Sequence, residues 1–388
     1  MTYDYDAIVV GARVAGSGTA LLLARHGHRV LLLDRARMPS DTVSTHAILR
    51  SGVLQLQRWG ILDRVIDQGT PAVRKVTLGF GEERVPIELS TDHGVEALYA
   101  PRRFILDNVV VEAAVEAGVE FKEAFRVTGL VRDTRKRVCG VLAGPDEEPL
   151  TARVVIGADG VNSRIARLVD APQSESHRPT NAVHYAYFTD IDHTGFWFQF
   201  TPGTNTGLIE TNNNEVLVFA GRPSDRVSRF RKDPESEFFR LLRDSGADLA
   251  ERVEAGERVS KFRGTPGLPG FIRKPWGPGW ALVGDAGYMK DPISAHGISD
   301  AFRDAELCAR AVDMVLREPS NGASALSGYE GQRDSLSREM YRESEGLAAY
   351  RWDAAEASAR MRAISNAVHR ECEALLALSP WTEAVAVA

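Results

Sequence analysis

The chain opens on a short apolar run, Ala7 to Val10, that stops at Gly11. Consecutive rather than alternating apolar positions predict a strand buried on both faces, as in a parallel sheet. Val14 to His26 is rich in Ala and Leu and predicts a helix that stops near Gly27. Val30 to Leu33 predicts the next buried strand, so the order is strand, helix, strand, the opening of a doubly wound sheet. Two later apolar runs each end in an aspartate: Val154-Val155-Ile156-Gly157-Ala158-Asp159 and Ala281-Leu282-Val283-Gly284-Asp285. Between them, residues 180–265 alternate polar with aromatic or β-branched positions, as in Phe196-Trp197-Phe198-Gln199-Phe200 and Val216-Leu217-Val218-Phe219. That alternation predicts an antiparallel sheet inserted into the first domain, with residues 72–100 adding strands to it. The polar stretch from Arg132 to Glu148 predicts a hairpin or loop. Beyond Phe302 strand signals cease, and Met361, Ile364, Val368, Cys372 and Leu375 recur at the spacing of a core-facing helix.

Composition narrows the class without changing this outline. The 388 residues are 44% hydrophobic and 26% charged, enough for a sizeable core in two interlocked domains. A net charge of −6 offers no basic footprint for nucleic acid. Cys139, Cys308 and Cys372 are far apart and lack metal-ligand spacing, so reduced thiols and no bound metal are expected. A basic leader followed by an apolar segment is missing, as is an apolar run of roughly 18 residues, so a cytoplasmic protein with no membrane partner is expected. Oligomeric state is not legible.

Three motifs carry the candidate chemistry. Gly11-Ala12-Arg13-Val14-Ala15-Gly16 lies between strand and helix, where a dinucleotide pyrophosphate meets the unpaired N–H groups of a helix start. Asp34 follows 23 residues after Gly11, at the end of the second strand, where a carboxylate accepts ribose hydroxyls. Arg13 stands where this fingerprint has its middle glycine, so its side chain must turn aside or serve as a charge partner. The second motif is Gly157-Ala158-Asp159-Gly160, continuing through Arg164. The third is Gly284-Asp285-Ala286-Gly287, followed by Pro292, Gly297, Ile298, Asp304 and Ala305. An isolated Asp of this kind is also a turn cap. Three such sites on one sheet edge point to one long ligand crossing it.

With these motifs the chain resembles the class A, para-hydroxybenzoate hydroxylase-like, FAD-dependent monooxygenases from about Tyr5 to about Val315. The resemblance implies an α/β fold: a doubly wound Rossmann-like FAD-binding domain (1–71, 101–179 and 266–320), an inserted antiparallel β-sheet substrate domain (72–100 and 180–265) and C-terminal helices (321–388). It implies FAD contacts from Gly11, Arg13, Ala15, Gly16, Asp34, Arg35, Ser44, Thr45, Arg103, Asp159, Gly160, Gly284 and Asp285. Asp159 is implied in NAD(P)H binding as well, and Asp285 in binding the ribityl chain. Pro292 would lie beside the flavin ring, and Gly297 and Ile298 at its pyrimidine edge. Tyr288, Ser299, Ala295 and Ala301 depart from the family's frequent His, Asn, Gly and Gly.

The implied reaction is NAD(P)H-consuming hydroxylation of an aromatic or indole-like small molecule by O2 through a flavin C4a-hydroperoxide, in secondary metabolism. NADPH and NADH are equally open as co-substrate. His46 is a candidate general base because imidazole titrates near neutrality; the alternative is an incidental His beside a helix-capping Thr45. Phe196, Phe198, Phe200 and Phe219 are candidate substrate contacts, or plain core. A flavin-dependent reductase of isoprenoid double bonds shares the fold. A flavin halogenase is disfavoured because Phe196 and Phe198 occupy that signature's tryptophan positions. A non-catalytic flavin or drug carrier is the remaining alternative.

Overall fold

A computed structural model describes residues 2–381. The first strand, Tyr5–Val10, is central in a sheet and pairs in parallel with Val30–Leu33 on one side and Glu148–Gly157 on the other. Glu120–Lys122 extends the sheet beyond Val30–Leu33, and Trp280–Leu282 extends it beyond Glu148–Gly157, both in parallel. Ala7, Ile8 and Val9 are fully buried, as a strand covered on both faces requires. Helices Val14–Arg25 and Arg103–Glu116 and the 21-residue helix Gly297–Arg317 join its apolar cover.

The second sheet runs in the order Glu257–Arg258, Asn181–Thr189, Val216–Pro223, Thr204–Glu210, Phe196–Thr201, Lys75–Phe80, Glu83–Glu88. The expected antiparallel pattern needs one correction. Phe196–Thr201 runs parallel to Lys75–Phe80, because that strand arrives from the first domain and not from a hairpin. The alternation also hid helices. Pro234–Ser245 packs on the outer face of this sheet, started by Asp233, whose side chain accepts the Ser236 N–H. Asp-Pro-Glu at positions 233–235 was the signal, since Asp caps and Pro opens a helix. The polar stretch 132–148 forms a hairpin as expected, its strand Val138–Ala143 pairing antiparallel with Val127–Arg132 and with Glu148–Gly157.

Two long helices, Gly322–Ala348 and Ala354–Ala377, follow. Asp353 and Glu356 form a capping box at the second, and Ile364, Cys372 and Leu375 face inward from it. The helical expectation for 382–388 lies outside the described residues. No helix among the described residues is long and apolar enough to cross a membrane.

Glu306 ties two helices together, reaching from the middle of Gly297–Arg317 to Arg50–Arg58. Its buried carboxylate accepts hydrogen bonds from Gln55 Nε2 (2.8 Å), Trp59 Nε1 (3.0 Å) and Arg310 Nη2 (2.7 Å), and it pairs with Arg58. Glu306→Ala strands these donors. The expected loss is roughly 2–4 kcal/mol, short of the full cost of stranding a buried charge because both arginines keep some water contact. Urea titration of wild type and variant checks this; a change under ~1 kcal/mol would contradict it.

Candidate flavin site

The end of the first strand, the start of the first helix and the end of Glu148–Gly157 converge at near-contact distance. A Cβ on Gly16 would lie 1.8 Å from the Gly11 carbonyl oxygen, and one on Gly11 would lie 2.4 Å from the Ala158 oxygen. Gly11 also has φ +107, in the region that favours glycine. The helix Val14–Arg25 begins there with no side-chain cap at Arg13, so its first N–H groups remain available to an anion.

Arg13 turns aside. Its guanidinium donates to the Ser40 carbonyl (2.6 Å), to Ser40 Oγ (2.8 Å) and to Asp107. Asp107 is fully buried and also accepts Arg103 Nη2 at 2.9 Å. Two guanidiniums around one carboxylate leave a net positive charge beside the helix start, which suits a pyrophosphate. The Arg103-to-Asp107 spacing of four residues was a readable helix pair; its sharing with Arg13 was not.

Two expected carboxylates are already engaged. Asp34 Oδ2 accepts the Ala12 N–H and Oδ1 the Ala36 N–H, both at 2.7 Å. Asp34 thus fastens strand to loop, and its remaining lone pairs are left for the ribose contact that the sequence implies. Asp159 accepts from Ser163 Oγ, Arg164 N (2.6 Å) and Ile165 N (3.1 Å), holding its own turn into the helix Arg164–Leu168. Gly160, at φ +77, continues that turn, and Arg35 is exposed.

Asp285 differs. It follows Gly284 (φ +57), is half-buried, and accepts no hydrogen bond among the described residues. Loss of water pushes its carboxyl up to about 6; Lys290 pulls it down and Asp300 pushes it up. Further on, the helix Gly297–Arg317 starts without a side-chain cap. A Cβ on Gly297 would meet nothing within 4 Å, so the ground over this helix start, where Ile298 follows, is open. Two uncapped helix starts, an unpartnered carboxyl between them and the positive Arg13–Asp107–Arg103 cluster fit the group that the sequence implies. They would take its pyrophosphate, its ribityl chain and its pyrimidine edge.

Pro292 lines a small cavity with Thr45, Asn181, Val183, Phe198, Asn205, Phe219, Ile293 and Ala295. Phe198 and Phe219 are thus placed as candidate contacts. Phe196 and Phe200 are not: Phe196 packs edge-on against Phe198, and Phe200 stacks on Phe80 and meets Trp352 edge-on. Sequence reasoning missed the polar wall. Asn181 donates to Asp291 Oδ1 (2.9 Å), and Tyr350 Oη donates to Asn181 Oδ1 (2.7 Å) and contacts Asn205. Asp291 is fully buried, and burial, reinforced by Glu345, pushes its carboxyl up to about 7.

His46 does not line the cavity. It is fully buried, its Nε2 bonds Tyr187 Oη, and its ring stacks on Tyr187. Burial first, then Arg103, Arg102 and Arg263, hold its pKa well below the ordinary imidazole value. Burial beside three arginines disfavours the charged imidazole that proton abstraction would produce. The helix-cap alternative fails too: Ser44 Oγ accepts the His46 N–H, and the next helix, Arg50–Arg58, is preceded by Leu49, not Thr45.

Below the second helix start, Lys290, Asp300, Arg303, Asp304 and Glu371 form a buried ion network, with Arg303 donating to Asp300 (2.8 Å), Asp304 (2.8 Å) and Glu371 (3.0 Å). His296, Asp300 and Glu371 lie close enough to ligate a cation, yet Lys290 and Arg303 already neutralise these carboxylates.

A family model described as "FAD binding domain" matches residues 4–344. The chain belongs to this family, that of the class A flavoprotein monooxygenases. It is a flavin-dependent oxidoreductase. A digeranylgeranylglycerophospholipid reductase of Methanococcoides burtonii is 31% identical over 359 residues, 88% of this chain and 82% of the relative. Among solved structures, PqsL of P. aeruginosa in complex with 2-aminobenzoylacetate superposes with a TM-score of 0.81 at 24% identity, covering 93% of this chain and 99% of PqsL. The flavin-dependent brominase Bmp2 gives 0.80 at 19% identity, over 95% and 93% of the two chains. At these identities the structural likeness speaks for the fold alone.

Asp285 yields a test in two directions. Its carboxyl is raised in the fold, so its proton-bound form favours the folded FAD-free protein. That contribution is full below the unfolded pKa and is lost as pH rises through about 6. Asp285→Asn should therefore raise the melting temperature of the FAD-free protein at pH 7.5. It should also weaken FAD binding roughly 10- to 100-fold, from charge-assisted bonds of about 1.5–3 kcal/mol. Melting curves and FAD titration read both; a variant less stable without FAD and unchanged in affinity contradicts the assignment.

Proposed function

We propose that this protein is an FAD-dependent, NAD(P)H-consuming monooxygenase that hydroxylates a small aromatic or indole-like molecule in secondary metabolism. The observation that carries the reading is the cavity beside Pro292, with Phe198 and Phe219 as aromatic walls and the Asn181 and Asn205 amides as polar points. Aromatic faces sandwich a flat ring, and amides recognise a hydroxyl, carbonyl or ring N–H on its edge. The cavity measures about 20 Å3, room for little more than a water.

In this reading FAD, when bound, supplies reduction by NAD(P)H and activation of O2. The chain's own groups do the rest. Arg13, Arg103 and the first helix start hold the pyrophosphate, Asp285 the ribityl chain, and Gly297 and Ile298 the pyrimidine edge. Asn181 and Asn205 orient the substrate, and Phe198 and Phe219 keep water out. Overall, substrate, O2, NAD(P)H and one proton give hydroxylated product, NAD(P)+ and water. A second reading, reduction of an isoprenoid double bond, is favoured by the 31% identical relative. It consumes NAD(P)H and a proton but no O2.

The experiment is oxygen uptake during NAD(P)H oxidation with panels of small aromatic compounds and of prenyl lipids. One O2 per hydroxylated product supports the first reading. Anaerobic turnover of a prenyl lipid replaces it with the second.

His46 gives a separate prediction. Because the imidazole is buried against Tyr187 and uncharged, His46→Ala should leave product per NAD(P)H unchanged. It should lower stability by about 1–3 kcal/mol through the stranded Tyr187 hydroxyl. Product quantification beside urea titration reads both. Conversion to hydrogen peroxide without product would restore His46 as the base.

A further inference from the structure

Two histidines 276 residues apart in the chain meet at the protein surface. His93 lies in the tight turn Asp92–Gly94, and His369 lies on the helix Ala354–Ala377. His93 is half-buried and His369 is exposed, and neither lines the flavin-side cavity. His93 Nε2 is 3.3 Å from His369 Nδ1, with the ring planes inclined at 57°. As a hydrogen bond this contact is long. As the edge of a metal site it fits: two zinc–imidazole bonds of about 2.0–2.1 Å at the tetrahedral angle set their nitrogens about 3.3 Å apart.

The fold holds the first of these rings in place. Buried Arg50 donates from Nη1 to the Asp92 carbonyl (2.8 Å) and to the Val95 carbonyl (3.1 Å), and Ser90 Oγ donates to the Asp92 carboxylate. The Val95 N–H closes the turn onto the Asp92 carbonyl at 3.1 Å. Within it His93 sits at φ +59, a conformation that few side chains adopt. A position of this kind, kept by the bonds around it, is a mark of a residue held for a ligand. Nearby charges suit a cation. Arg50 is committed to carbonyls, and Arg370, next to His369, pairs with Glu339. Exposed Asp92 adjoins His93, and exposed Glu373 follows His369 by one helical turn on the same face.

We propose that His93 Nε2 and His369 Nδ1 together bind one divalent transition-metal ion of the zinc type. Imidazole nitrogens suit such ions, whereas Mg2+ and Ca2+ take oxygen ligands. Water, or the Asp92 and Glu373 carboxylates after rotation, completes the coordination. The ion joins the turn that follows the strand Glu83–Glu88 to the last helix. Two residues beyond His369, that helix carries Glu371 into the ion network with Arg303 below the second helix start. The metal therefore braces, from the surface, a helix on which the flavin site rests.

The test uses the FAD-loaded protein after dialysis against a chelator. Zinc chloride is titrated calorimetrically, with magnesium chloride as the hard-ion control. One equivalent of zinc should bind and raise the melting temperature, and magnesium should do neither. His93→Ala and His369→Ala each leave a single imidazole. Each should weaken zinc binding at least ~10-fold, the scale on which even outer-shell partners matter, and remove the rise in melting temperature. His369→Ala is an exposed change and decides the matter if His93→Ala disturbs its turn. No zinc binding, loose binding of several equivalents as at scattered surface groups, or binding unchanged in His369→Ala overturns the site.

Discussion

The Gly11 carbonyl oxygen occupies the space a side chain on residue 16 would need, and the flavin site is built outward from that contact. Because both positions are glycine, the first helix starts directly off the first strand, with its uncapped N–H groups at the sheet edge. The Ala158 carbonyl likewise fills the space a side chain on Gly11 would need, so the strand Glu148–Gly157 ends at the same place. Asp34 then binds the Ala12 N–H, pinning the turn from the side. An uncapped helix start at the sheet's carboxyl edge results from these steric facts before any charge is considered.

Charge is arranged around the opening by spending carboxylates where the fold needs them and sparing one. Asp107 anchors Arg13 and Arg103; Asp159 closes its own turn; Asp300, Asp304 and Glu371 surround Arg303 under the second helix start. Each is paired in place, which offsets the cost of its burial. Asp285 alone of the motif aspartates keeps both oxygens without a protein donor among the described residues. The stability it forfeits is the usual signature of a binding group held ready for its ligand.

The main-chain plan was legible because it rests on local pattern. Unbroken apolar runs marked the parallel strands, alternation marked the second sheet, and glycine spacing marked the turn. What failed required knowing who meets whom. Asp34 and Asp159 look in sequence like open ligands, and only the folded turn shows that their oxygens also hold backbone N–H groups. The alternating Phe196, Phe198 and Phe200 share one face, yet only Phe198 reaches the cavity, because Phe80 and Trp352 cover Phe200. The Asn181–Tyr350 contact spans 169 residues, beyond any periodicity. For His46 the residue type suggests a base, whereas its depth and three nearby arginines disfavour the charged imidazole, which no periodicity reveals.

Both reactions open to this fold consume one proton inside a closed site, so the groups able to change charge near neutral pH matter. The imidazole is not one of them, since burial and the arginines hold it uncharged. The carboxyls move the other way. Asp285 is pushed up to about 6 and Asp291, one residue before Pro292, to about 7. Asp291 is joined through Asn181 to the polar wall of the cavity. Desolvation therefore pushes each group toward its uncharged form, the carboxyls upward and the imidazole downward. The same dry environment that lets Phe198 and Phe219 exclude water thus also sets the protonation of the groups around the cavity, and the two properties cannot be varied independently.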